Sequence, residues 1–414
     1  MMRIKLLLVF ILFASSVSAQ PSFDAQKLIV LSDADMAAST YVDGQLLRVP
    51  GDQDELSLID FSDSDPLNSI TTLPVSNSVT NWTKSLDITS DGRVAFVAET
   101  RAQLAPDITQ IANVGEIPAA LSIRAIDVSN PKAMSLMAKI DVGNIPIVVQ
   151  LSPDGNFLAT VIEEPGREIV LVPWQGTAFG TPRYFTIGQT YDKSVRATDI
   201  TWHPSGKFLA VTLEESQQLA FYQVNDERTE ITMIGEPLPL GTLPGAGQFV
   251  PGGEFYLIPD VNNFVNEGFL YCIRPDFANG NHQIVSRVKT GKAPEGFGIS
   301  PDGTRIVTAN MEGSWFPKGS EFRTETSSLS LIALNVSGEL TELQRVPFDG
   351  VLPENVVFDA DGDMIAVAVY EYNDQPLEEA HGAVEFWRVS ENRLEATDTK
   401  IALTRGVHML ALVP

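Results

Sequence analysis

Six times along the chain an apolar run ends in a tight glycine-bearing turn, a second apolar run follows, and an acid closes it. The segments are ITSDGRVAFVAE from Ile88, LSPDGNFLATVIEE from Leu151, WHPSGKFLAVTLEE from Trp202, FVPGGEFYLIPD from Phe249, ISPDGTRIVTANME from Ile299 and FDADGDMIAVAVYE from Phe358. Short runs rich in Val, Ile, Phe and Tyr, bounded by turn residues, predict strands. Asp-Gly between two such runs is a hairpin signal, because the turn needs positive φ. The turn glycines Gly92, Gly155, Gly206, Gly253, Gly303 and Gly362 are spaced by 63, 51, 47, 50 and 59 residues. That spacing leaves room for more than a hairpin. A third run follows each one (LSIRAIDV, REIVLVPW, QQLAFYQV, GFLYCIRP, SSLSLIAL, AVEFWRV), and weaker fourth runs such as ITMIGE and QIVSRVKT come next.

Four strands per unit is the make-up of a propeller blade. Six units are whole, and the two ends supply a seventh. KLIVLSD and ELSLIDF near the N-terminus read as second and third strands with no first strand before them. GVHMLALVP at the C-terminus reads as a first strand with nothing after it. Aligning Pro414 with Pro301 lays that strand on PEGFGISP, so the last strand would complete the blade that the N-terminus begins. The expected fold is all-β, a seven-bladed propeller of four-stranded blades over residues 20–414. Closing the ring in this way removes the exposed sheet edge. The alternative, a sandwich with a second domain, does not explain six matched turns.

The repeated Ser-Pro-Asp-Gly turns, with the β runs after them, resemble the YVTN-repeat and lactonase-like seven-bladed propellers over nearly the whole chain. WD40 repeats are a poorer match, since no unit ends in Trp-Asp. The resemblance implies a propeller fold and, for the lactonase-like members, a His and an Arg just before a first strand with a Glu at the end of the second. Glu214 stands at that Glu position. Thr198 and Asp199 stand where the His and Arg are implied, with Arg196 displaced by two residues, and Ile145 and Ile147 stand where a neighbouring blade would show histidine.

Charge and length narrow the partners. The 414 residues carry 28 Lys and Arg against 53 Asp and Glu, a net charge of −25. A nucleic-acid binder needs a basic footprint, and anionic membranes attract basic segments, so neither partner is expected. Arg3 and Lys5, the nine-residue apolar run Leu6–Ala14 and Val17-Ser18-Ala19 read as a secretory signal over residues 1–19. Nine apolar residues fall well short of the ~20 that span a bilayer. A secreted or periplasmic protein is therefore expected, with no membrane insertion. The single cysteine, Cys272, excludes an internal disulfide framework. Asn81-Trp82-Thr83 and Asn335-Val336-Ser337 are glycosylation sequons, relevant only in a eukaryotic secretory pathway.

Candidate chemistry sits at one mouth of the ring, away from the Asp-Gly turns. Three long loops rise there: Thr100–Ala120, Gly313–Thr326 with Trp315 and Phe316, and Asn373–Gly382 with His381. Each second strand ends in an acid: Asp33, Glu99, Glu163 and Glu164, Glu214 and Glu215, Asp260, Glu312, Glu371. Such a ring either accepts backbone N–H bonds from a neighbouring entry loop or concentrates cations. No cofactor is implied. Calcium is the one metal considered, at the oxygen-rich stretch Asp260-Val261-Asn262-Asn263 with Asn266 and Glu267, which departs from the spaced EF-hand pattern.

Seven residues before each turn's Asp position lie Lys84, Ile147, Thr198, Gly245, Glu295 and Glu354, and the terminal strand adds His408. A closed ring brings this offset to the channel mouth. His408, Glu295, Glu354, Lys84 and Glu214 are the candidate catalytic residues, with His408 as base, a Glu orienting it and Lys84 or Arg405 holding an oxyanion. Arg196, Arg405, Trp315, His381 and Thr198 are the candidate ligand contacts. The residues favour a monomeric propeller binding a small molecule, glycan or protein at the mouth. The alternative is a lactonase-like hydrolase or isomerase acting on a small lactone or ester there.

Overall fold

A computed structural model describes residues 23–67, 69–80, 84–188 and 196–413. The leader expected over residues 1–19, the sequon at Asn81 and the terminal Pro414 lie outside them. Seven antiparallel sheets form the ring. Blade 1 combines the innermost strand Val407–Val413 with Lys27–Ser32, Glu55–Asp60 and Thr71–Pro74. Blades 2 to 7 follow in chain order, with innermost strands Leu86–Ile88, Gln150–Leu151, Ala197–Trp202, Gln248–Phe249, Pro294–Ile299 and Val351–Phe358. Blade 4 carries one extra short strand, Leu238–Pro239, on its third strand.

The ends meet as the unpaired runs predict. Val407–Val413 lies antiparallel to Lys27–Ser32, with Leu28 opposite Leu412 and Val30 opposite Leu410, and Gln26 N–H donates to the Val413 carbonyl at 2.9 Å. All six turn glycines have positive φ, between 64° and 80°. The Ser-Pro-Asp-Gly sequence has a local reason. Ser300 Oγ donates to Asp302 at 2.6 Å, and the same carboxylate accepts Thr304 N–H at 2.9 Å, so the turn satisfies its own backbone.

Blades pack face to face, so their inner strands are buried on both sides and read as continuous apolar runs; Val94–Arg101 is buried at seven of eight positions. Outer strands such as Ser135–Asp141 alternate between exposed and half-buried positions. The core is thus a set of inter-blade clusters, for example Val161, Ile169 and Leu171 of blade 3 against Ile200, Leu209 and Val211 of blade 4. One cluster differs. Met36, Leu46, Val79, Ile111, Ile117, Met311, Leu352 and Tyr370 come largely from loops, and they roof the mouth of the ring. Among the described residues no helix is long and apolar enough to cross a membrane.

Candidate functional site

The offset seven residues before each turn has a structural basis in four blades: the innermost strand bulges there. In blade 1 Leu31 pairs with Met409 and Ser32 with Val407, leaving His408 unpaired in the ladder. Thr198 is the extra residue in blade 4, Glu295 and Gly296 share the irregularity in blade 6, and Glu354 is the extra residue in blade 7. A bulge bends its strand and re-aims a side chain.

Glu295 and Glu354 turn into a cavity of about 450 Å³ at the mouth, which they line with Glu214, Arg196, Tyr41, Phe264 and Trp315. The two carboxyls are hydrogen-bonded to each other. Gly296 makes their approach possible, because a Cβ there would meet the Glu354 carbonyl oxygen at 1.8 Å. Burial pushes the Glu295 carboxyl up to about 8. Glu354, 1 % exposed, is held well above the usual carboxylate range by burial first and the neighbouring Glu295 charge second. Two like buried carboxyls cannot both ionise cheaply, so the pair keeps at least one proton at neutral pH. Trp315 Nε1 has no hydrogen-bond partner among the described residues. Arg196 lines the same cavity, with its Nε 2.9 Å from Glu163 and its backbone N–H on Glu215.

The remaining candidates stand elsewhere, which corrects the expectation that His408 and Lys84 join the two glutamates. Lys84 Nζ is buried in a knot with Asp199 (3.0 Å), Thr201 Oγ1 (2.6 Å) and the Gly247 carbonyl. Asp199 also accepts from Gly247 N–H and Tyr256 Oη, so the position where an arginine was implied anchors the channel wall instead. Lys84 lines a second cavity with Leu86, Val149, Trp202 and Phe249, further down the channel toward the turns. The His408 ring is buried against Asn77 Oδ1 at 2.6 Å, and burial pushes its pKa down to about 3. A ring that resists protonation is a poor general base, and His408 does not line the mouth cavity. Arg405 donates to the Leu47 carbonyl at 2.7 Å and lies 3.9 Å from Glu371, so it ties loops together. Thr198 is fully buried in its strand and His381 bonds Gln375 and the Glu379 carbonyl; neither lines the cavity.

Most of the acid ring is spent on structure. Glu164, Glu215, Asp260 and Glu312 accept backbone N–H bonds from their own blade's entry loop, at Asn144, Arg196, Thr242 with Leu243, and Lys292. Asp33 accepts from Val79 in the next blade's entry loop, and Glu371 from Ala38 of blade 1. Glu99 pairs with Arg124 and Lys139. In the oxygen-rich stretch, Asp260 Oδ1 takes Leu243 N–H at 2.8 Å and Asn262 N–H at 3.0 Å. Glu214 is the ring acid that faces the cavity.

Sequence reasoning missed Tyr41 and Phe264. Tyr41 rides on residues 33–54, an insertion between the second and third strands of blade 1, and its hydroxyl donates to the Val79 carbonyl at 2.8 Å. The length of that gap was the available signal. The insertion is clamped to the Thr100–Ala120 loop by Ile111 N–H to Gly44 O and Leu46 N–H to Thr109 O. Also missed was a second buried acid cluster, Asp33, Asp35 and Asp54, at the two ends of the same insertion.

No family model and no curated protein sequence matches the chain. Solved structures do resemble it. The periplasmic gluconolactonase of Pseudomonas aeruginosa superposes with a TM-score of 0.64 at 14% identity, covering 94% of this chain and 99% of that one. A candidate 6-phosphogluconolactonase from Bacteroides fragilis gives 0.62 at 16%, covering 95% and 100%. A protein from Lactobacillus plantarum gives 0.63 at 12%, covering 94% and 100%. At these identities the likeness establishes the propeller fold alone, and the YVTN-repeat name has no family match behind it.

Proposed function

We propose that the protein hydrolyses a small ester, foremost a lactone, in the cavity at the mouth of the ring. The observation that carries this reading is the Glu295–Glu354 pair, two buried carboxyls bonded to each other on the wall of the cavity, which in its singly protonated form is an acid beside its conjugate base. The ionised partner takes a proton from water as the water oxygen bonds to the carbonyl carbon. The protonated partner gives its proton to the ring oxygen as the ring C–O bond breaks, which restores a shared proton. The product is a hydroxy acid, ionised at neutral pH. It faces Glu214 and the pair, and like-charge repulsion drives its release.

The gluconolactonase neighbour supports lactones over open esters, and its periplasmic setting agrees with the export signal read over residues 1–19. The charge of the cavity argues against a phosphorylated substrate. Three carboxyls face it, and its cation, Arg196, is engaged by Glu163. That engagement also favours a second reading. If the shared proton alone does not stabilise the oxyanion, the cavity holds a polar ligand without turning it over.

The test is acid release from a panel of neutral, cationic and phosphorylated lactones and esters, followed in a pH-stat. Hydrolysis of an unphosphorylated member, with kcat reduced about 10²–10⁴-fold in Glu295→Gln and in Glu354→Gln, is the expected result. Binding without hydrolysis across the panel transfers the conclusion to the second reading.

A further inference from the structure

The cavity has two unlike walls. One is aromatic: the Trp315 indole meets Tyr41 edge to face at 6.0 Å and Phe264 at 5.7 Å, with Phe316 behind it at 4.4 Å. The other is acidic, formed by Glu214, Glu295 and Glu354. On that wall the Glu295 and Glu354 carboxyls are bonded to each other, and Glu214 lines the cavity beside them. A neutral sugar ring would stack on the aromatic wall and donate hydroxyls to the carboxyls, but it brings no charge to balance three acids in a cavity whose Arg196 is engaged by Glu163. A divalent metal ion would use the carboxyls, but it needs six or more oxygens and gains nothing from indole and phenyl rings.

From these two walls we infer that the substrate of this cavity carries an alkylated ammonium group, its alkyl shell against Trp315, Tyr41 and Phe264 and its charge toward Glu354. Aromatic rings attract such a cation through their quadrupole, most strongly where water is excluded. The inference names the substrate class for the ester chemistry proposed above and rests on that reading only for the chemical step after binding.

Cation binding should be coupled to proton release. The pair holds a proton when empty, and a cation beside it favours full ionisation. The groups facing the pair are Glu214 and Arg196 across the cavity, Tyr41 above and, more distantly, Asp33. Arg196 opposes the cation, but Glu163 offsets its charge. The Tyr41 phenol is kept from ionising by burial first and by Glu354 and Glu295 next, so the proton comes from the pair.

The experiment is calorimetric titration of the whole protein with choline, its neutral isostere 3,3-dimethylbutan-1-ol, and ethanolamine, at pH 7 and pH 9, in buffers of different ionisation enthalpy. Choline is expected to bind at least about tenfold more tightly than the isostere and more tightly than ethanolamine, as cation–π recognition of an alkylated cation requires. It should release about one proton at pH 7 and bind more tightly at pH 9. Trp315→Ala should weaken choline by about tenfold or more, and the near-isosteric Glu354→Gln should abolish the proton release, each with thermal unfolding recorded to show that the variant folds. Equal binding of choline and its isostere, or choline binding that both folded variants retain with its proton release intact, overturns the inference. Cleavage of neutral lactones without choline preference would sink this inference and spare the ester reading; choline binding with no hydrolysis of any ester would do the reverse.

Discussion

Two buried acid clusters among the described residues differ in what they face: the glutamates line the mouth cavity and the aspartates do not. Asp33, Asp35 and Asp54 bring carboxylate oxygens within 4.8 Å of one another, all buried. Burial first, with the Asp33 charge next, pushes Asp35 up to about 7, and burial followed by the Asp33 and Asp35 charges holds Asp54 well above the usual carboxylate range. By perturbation alone this cluster rivals Glu295 and Glu354. Backbone N–H groups take up two of its three carboxylates, however. Asp33 accepts Asp35 and Val79 N–H at 3.0 and 2.9 Å, and Asp54 accepts Ala34 N–H at 3.0 Å. The aspartates knit the Tyr41 insertion to the blade beneath it. The glutamates stand on bulges and line the mouth cavity, bonded to each other. A raised carboxyl marks burial; a raised carboxyl that also lines a cavity marks a candidate site.

The comparison can be broken most forcefully from the aspartate side. Asp33→Ala leaves two buried N–H groups without acceptors and should cost about 3 kcal/mol, seen as a large fall in Tm. Next is Gly296→Ala. Its Cβ would meet the Glu354 carbonyl oxygen at 1.8 Å and so drive the two bulges apart. Hydrolysis should fall about 100-fold or more while the variant still folds, as circular dichroism and Tm would show. Retained activity would mean that the approach of the two carboxyls is incidental.

Smaller effects come from pH. Glu295 has a folded-state pKa of about 8 against an ordinary 4.5, so its contribution is intact below pH 4.5 and lost as pH rises through 8. Glu295→Gln should therefore be more stable than the wild type at pH 9, by on the order of 1 kcal/mol, with the gap closing toward pH 4. Thermal melts across that range decide it. His408 runs the opposite way. Its pKa is about 3 when folded against 6.5 unfolded, so its contribution is present above pH 6.5 and lost as pH falls toward 3. His408→Asn should flatten the acid limb of the stability curve and leave hydrolysis at the mouth unchanged; lost hydrolysis in a folded variant would restore His408 to the site.

The legible part of the sequence is the part that repeats. The Asp-Gly turns and unpaired end runs specify local geometry, and they carried the ring and its closure. The offset of Glu295, Glu354, Thr198 and His408 repeats too, and it is where the strands bulge. Where each of those side chains then points does not repeat. Lys84 is claimed by Asp199 of blade 4, and His408 by Asn77 of the loop leading into blade 2, partners that no single-blade pattern predicts. Glu214 is legible from the end of its second strand, Arg196 from its place just before a first strand, and Trp315 from its long loop. Tyr41 and Phe264 lie in segments outside the repeat, and only the fold shows what they face.

At neutral pH Glu295 and Glu354 should keep at least one proton between them on the wall of a space able to take a ligand. Infrared difference spectroscopy of protonated carboxyl groups tests it most directly, comparing wild type with Glu295→Gln, Glu354→Gln and Asp35→Asn across pH 5 to 10. The account predicts a protonated-carboxyl band present at pH 7 and titrating near pH 8. It should be missing or displaced in both glutamate variants, kept in Asp35→Asn, and bleached when choline is added to the wild type. A band that survives both glutamate variants, or none at pH 7, would contradict it.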